Sequence, residues 1–99
     1  MTPHPRPPFW LTLGTPTVVV LHRTSDRWRY ALYFTEPAGV ADGALADPPP
    51  SSAPAAARSS ALRKAEEITR RRLGVEWQEG DRPDCWTGTV TSAGPRPPA

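Results

Sequence analysis

The residues best suited to chemistry in this chain are His4, His22 and Cys85, the carboxylates Glu66-Glu67 and Asp81/Asp84, and arginines set beside aromatic side chains. A metal site or an activated thiolate needs its ligands, or its base, gathered by local spacings such as Cys-x-x-Cys or two His one helical turn apart. Here the two histidines and the one cysteine stand in three separate segments. Cys85 and His22 form a nucleophile and base only if strand pairing puts them side by side; otherwise Cys85 is a small half-buried strand residue. The glycines at 14, 39, 43, 74, 80, 88 and 94 make neither GxGxxG nor GxxxxGK, so no phosphate cradle is encoded. Glu66-Glu67 and Asp81/Asp84 read as solvated charge on a helix face and in a turn. The expectation is therefore no catalytic residue, no metal, no cofactor and no enzymatic activity.

Arginine and aromatic residues leave one other possibility. Arg27 and Arg29 flank Trp28, and Arg70-Arg71-Arg72 close a helical pattern. Such groups can meet a phosphate backbone while Trp10, Trp28 or Tyr33 stacks on a base. Against this, eleven of the twelve basic residues are Arg and Ala occurs 13 times, a pattern produced by GC-rich bacterial coding. Ten acidic residues leave a net charge of only +2, too little for a strong general attraction to nucleic acid. The candidate surface, for a protein or a nucleic acid, is Trp10, Arg27, Arg29, Tyr33, Arg70, Arg71 and Arg72. Trp28, Trp77 and Trp86 fall in strand-like stretches and read as packing residues, whereas Trp10 is the tryptophan expected to be exposed.

The elements that must position these residues fit one domain, because 99 residues are too few for two cores. Pro and Gly make up 21 positions and Ile, Leu, Val and Phe only 16, so a compact core with loose ends is expected. One cysteine permits no internal disulfide, which favours a cytoplasmic setting. The apolar stretch Phe9 to Leu21 is broken by Gly14-Thr15-Pro16 and suits neither a bilayer span nor an export signal, so no membrane association is expected.

Residues 1–8 (MTPHPRPP) are expected to be a disordered leader, residues 9–91 the domain, 47–54 (DPPPSSAP) a flexible insertion and 92–99 a disordered tail. Within the domain, Thr17–Thr24 and Arg27–Thr35 predict an antiparallel hairpin, with Trp28, Tyr30, Leu32 and Phe34 on one face and Ser25-Asp26 as the turn, where short polar side chains tolerate left-handed geometry. Phe9–Leu13 is expected to lengthen the first strand or form its own. Val40–Ala46 reads as a weak third strand. Ala57, Ala61, Leu62, Ala65, Ile68, Thr69 and Leu73 share one face of a helix that starts at Ser59/Ser60, or earlier near Ser52 with Pro54 in the first turn. Gly74 offers the left-handed position after it, with ion pairs expected at 63/67, 66/70 and 67/71. Val75–Gln78 and Cys85–Thr91 complete the strands, the latter alternating Trp86, Gly88 and Val90 against Cys85, Thr87 and Thr89. The fold class is α+β: an antiparallel sheet of about four strands with one amphipathic helix on one face.

From Trp28 to Ile68 the chain resembles HicB-type antitoxin domains. The likeness rests on the strand WRYALYF, the turn Glu36-Pro37-Ala38-Gly39, a small-residue strand with Gly43, and the helix ALRKAEEI. It covers about 40 residues. The family's domain binds a small toxin protein and is often followed by a DNA-binding segment, so the resemblance implies a protein partner. The chain departs from the pattern in DPPPSSAP and in lacking a helix-turn-helix or ribbon-helix-helix element. The expected function is a small binding or regulatory module acting through protein contacts, with nucleic-acid binding as the alternative and a homo-oligomer through an edge strand as a further possibility.

Overall fold

A computed structural model of the protein describes residues 9–96 and 98. The leader expected over residues 1–8 lies outside them. The elements are α1 (Phe9–Thr12), β1 (Thr15–Arg23), β2 (Trp28–Thr35), β3 (Gly39–Ala44), α2 (Pro54–Thr69), β4 (Leu73–Glu79) and β5 (Cys85–Ala93). The five strands make one antiparallel sheet in the order β3-β2-β1-β5-β4. The fold is α+β, with five strands where about four were expected: the small-residue stretch after the turn does pair, as β3.

Period-two alternation in β1, β2 and β5 decides which side chains meet α2. In β2, Trp28, Tyr30, Leu32 and Phe34 are buried while Arg29, Tyr33 and Thr35 are exposed. Across the ladder, Leu32 stands opposite Val19 and Tyr30 opposite Leu21. Gly88 of β5 stands beside Val19, and Trp86 beside Leu21. Trp77 and Val75 of β4 lie over Gly88, which has no room for a Cβ: one built there would sit 2.5 Å from Val75 Cγ1 and 3.0 Å from the Trp77 ring. The β1–β2 turn is closed by Thr24, whose hydroxyl donates to the Arg27 carbonyl at 2.8 Å and accepts from Arg27 N–H at 3.0 Å. Neither Ser25 nor Asp26 takes a positive φ, so a side-chain hydroxyl replaces the left-handed turn geometry expected there.

Helix α2 packs on this face through its smallest residues. Ala57, Ala61, Ala65 and Thr69 are buried, with Leu62 and Ile68 partly buried beside them. One-carbon side chains let the helix lie close to the strands. The Thr69 hydroxyl donates to the Ala65 carbonyl at 2.8 Å, so the single buried polar side chain of the helix is satisfied. The earlier helix start is the one found: Ala53 is the N-cap and Pro54 occupies the first turn, where its missing N–H costs nothing.

Three expectations about the ends of elements are corrected. Phe9–Thr12 is a single helical turn instead of a strand: the ladder begins only at Thr15, after Gly14, which is pressed against the Thr35 and Pro37 carbonyls. The helix stops at Thr69 with Arg70 as the left-handed cap (φ 56°, ψ 32°), four residues before Gly74; Leu73 and Gly74 belong to β4. The expected ion pairs at 66/70 and 67/71 do not form, since Arg70 and Arg71 have left the helix, and the one expected at 63/67 does not form because Glu67 pairs with Lys64 instead, at 3.7 Å. Glu66 accepts the Leu73 N–H at 3.0 Å and joins the helix end to β4.

The Pro-rich segment between β3 and α2 is tied at two points: Ser60 Oγ donates to the Asp47 carbonyl at 2.6 Å and Arg23 Nη1 to the Pro50 carbonyl at 2.7 Å. β5 runs to Ala93, two residues beyond the expected boundary, and Gly94 N–H donates to the Arg72 carbonyl at 2.7 Å. No helix among the described residues is long and apolar enough to cross a membrane.

Candidate functional site

Because α2 covers one face of the sheet only, alternation sends a second set of side chains to an open face. Register places Val40, Tyr33, Val18, Thr89 and Glu76 in one row across it, then Asp42, Ala31, Val20, Thr87 and Gln78, then Ala44, Arg29, His22 and Cys85. The centre of this face, over β1 to β3, is apolar: Val18, Val20 and Ala31 are half-buried, Tyr33 is 44% exposed and Val40 57%. Threonines of β5 and the acidic and amide side chains of β4 border it on one side.

Strand pairing does set His22 opposite Cys85. Cys85 is a half-buried free thiol and His22 is exposed. On the far side of His22 stands Arg29, which offers only N–H donors, so no carboxylate there holds the imidazole as a base. Among the described residues no group of three or more His, Cys, Asp or Glu is placed to hold a metal ion.

The seven candidate surface residues fall into separate places. Arg29 and Tyr33 share the open face, four residues apart on β2, and Arg27 is exposed in the turn next to Arg29. Arg70, Arg71 and Arg72 lie between α2 and β4, at the end of the sheet where β1 begins and β2 finishes, opposite to the end that carries Arg27 and Arg29. Trp10 is half-buried beneath Arg70, whose guanidinium is 4.9 Å from its ring centroid. The tryptophan expected to be exposed is thus engaged within the fold, since a cation so placed is attracted to the ring face. Arg71 Nε donates to the Gly94 carbonyl at 2.7 Å. Arg63, Arg70, Arg71 and Arg72 do surround an open depression of about 410 Å³, but Glu66 and Glu67 share its lining, so an entering phosphate meets carboxylates as well.

Two arginines that sequence reasoning did not single out prove more firmly placed. Arg23 stacks on Trp28 at 4.5 Å, pairs with Asp84 at 3.1 Å and holds the Pro50 carbonyl. Arg58 of α2 stacks on Trp86 at 4.0 Å. Both indoles use their ring faces, and Trp28 Nε1 and Trp86 Nε1 are buried without a protein acceptor. The missed signal for Arg23 was its phase: Val19, Leu21 and Arg23 share one face of β1, so this arginine had to enter the covered layer. In comparisons with protein-family models, curated proteins and solved structures, nothing matches this chain.

Proposed function

We propose that the protein is a small non-enzymatic binding or regulatory module that acts through protein contacts on the sheet face opposite α2. The observation that carries this reading is the contiguous apolar centre of that face, Val18, Val20, Ala31, Tyr33 and Val40, left open while the other face is filled. Flat surfaces of β-branched and aromatic side chains gain most by excluding water against a complementary protein surface. The resemblance of residues 28–68 to HicB-type antitoxin domains supports a small protein as the partner. A cytoplasmic location belongs to the same reading, in keeping with one free thiol.

One observation favours the nucleic-acid alternative. Arg29 and Tyr33 stand on the open face about 13 Å apart along β2, so a ring and a guanidinium share one surface. Affinity capture on the immobilised full chain, with and without nuclease, separates the two. The protein reading requires retention that survives nuclease and is lost in Val20→Asp. Retention that disappears with nuclease puts nucleic acid first.

A further inference from the structure

The two edges of the sheet differ in how they are protected. β4 carries two exposed carboxylates, Glu76 and Glu79, against the single Asp42 of β3, and its ladder with β5 is interrupted by the extra residue Thr91 of β5, features that hinder the addition of another strand. β3 has no Lys, no Pro and no bulge between Gly39 and Ala44. Leu45 N–H donates to the Trp28 carbonyl at 2.9 Å. In an antiparallel ladder the hydrogen-bonded pairs alternate from there, so Gly43–Tyr30, Ala41–Leu32 and Gly39–Phe34 are bonded pairs. The N–H and C=O groups of Val40, Asp42 and Ala44 consequently point away from β2, along the open edge, and their side chains stand on the open face.

We propose that the β3 edge docks an extended segment of a partner protein, with a Lys or Arg facing Asp42 and an apolar residue two positions away facing Val40. The proposal rests on the protein-binding reading above. Asp42 is exposed, and the ion pairs among the described residues, Arg23–Asp84 and Lys64–Glu67, leave it without a cation. The same carboxylate argues against a second copy. The self-pairing that uses all three residues sets Asp42 opposite Asp42, where like charges are destabilising, and Val40 opposite Ala44. A basic residue at that position turns the repulsion into attraction. Beyond Val40 lies the exposed Tyr33 ring, which extends the apolar contact, and beyond Ala44 lies Arg29, which disfavours a second basic residue there.

The test uses the full chain, labelled for NMR, and a blocked peptide Thr-Val-Thr-Lys-Thr-Val-Thr, whose symmetry removes the question of direction. At low-millimolar peptide, hydrogen exchange should slow at the amides of Val40, Asp42 and Ala44 before any others. Replacing Lys by Glu in the peptide should weaken binding about two- to fivefold, the range for a cross-strand charge pair, and Asp42→Lys should reverse that preference. Methylating alternate peptide nitrogens should abolish it. Unchanged exchange at the three amides overturns the proposal, as does equal binding of the Lys and Glu peptides. Slowed exchange at the same amides on raising protein concentration without peptide would show a second copy in the site and overturns it too. A protein cross-link from position 33 together with unchanged exchange at the three edge amides in the peptide titration would defeat the edge proposal while leaving the protein-binding reading intact.

Discussion

Removing Arg23 is the sharpest test of how the turn end of the sheet is held. Its guanidinium makes three contacts at once: the 2.7 Å hydrogen bond to the Pro50 carbonyl, the 3.1 Å ion pair with Asp84 and the 4.5 Å stack on Trp28. A hydrogen bond from a charged donor contributes about 1.5–3 kcal/mol. The ion pair joins side chains that are 25% and 43% exposed, so screening limits it to about 1 kcal/mol or less. The stack adds about 0.5–1 kcal/mol. Because one side chain makes all three, they do not sum, and Arg23→Ala should cost about 2–3 kcal/mol. For a chain of this length that is a fall of about 10–20 °C in Tm, read by calorimetry or circular dichroism. Arg23→Lys should recover only part, because an ammonium cannot lie flat on Trp28 while reaching both Pro50 and Asp84. Asp84→Asn, which tolerates the φ of 62° at that position, should cost less than about 1 kcal/mol. If Arg23→Ala lies within about 0.5 kcal/mol of the wild type, the guanidinium is not holding these segments together and the reasoning fails.

Close approach makes Gly14 irreplaceable: a Cβ there would collide with the Thr35 and Pro37 carbonyl oxygens, so Gly14→Ala should destabilise by at least about 1–3 kcal/mol in denaturant titration. Ala61→Leu pushes the volume of an isopropyl group between α2 and the sheet and should cost about 1–3 kcal/mol, whereas Ser59→Leu on the exposed side should change Tm little. Glu66→Ala removes the acceptor for Leu73 N–H and should cost about 1–2 kcal/mol by the same measurement. Mixed-sequence RNA or DNA followed by fluorescence anisotropy should show micromolar or weaker binding that collapses on raising salt, since only a net charge of +2 supports it; tight, sequence-selective binding at physiological salt would favour the nucleic-acid reading.

The strand faces were legible because alternation is a direct consequence of strand geometry: Trp28, Tyr30, Leu32 and Phe34 lie together under α2, and Trp86, Gly88 and Val90 alternate as the pattern indicates. β3 was faint for a physical reason. Gly39, Ala41, Gly43 and Ala44 supply little side-chain volume, so its place in the sheet depends on backbone pairing with β2. The helix end was misplaced because glycine is the usual left-handed cap, yet Arg70 takes that conformation four residues earlier and gains the face of Trp10. That contact joins residues 60 positions apart and has no local signature. Arg29 and Tyr33 were each named from residue type alone; alternation along β2 puts both on the open face, and their separation from Arg70, Arg71 and Arg72 follows only from the strand order. Arg23 was hidden among many arginines, although its phase with Val19 and Leu21 marked it as inward-facing.

Docking of a protein on the open sheet face is read out by photo-cross-linking in the source cells. A photoreactive phenylalanine analogue replaces Tyr33 at the centre of that face, or Ser59 on the exposed side of α2 as the control. Docking there requires a discrete protein adduct from position 33 that withstands nuclease, is absent from position 59 and disappears when Val20→Asp is added. An adduct removed by nuclease, an equal adduct from position 59, or none from position 33 would contradict it.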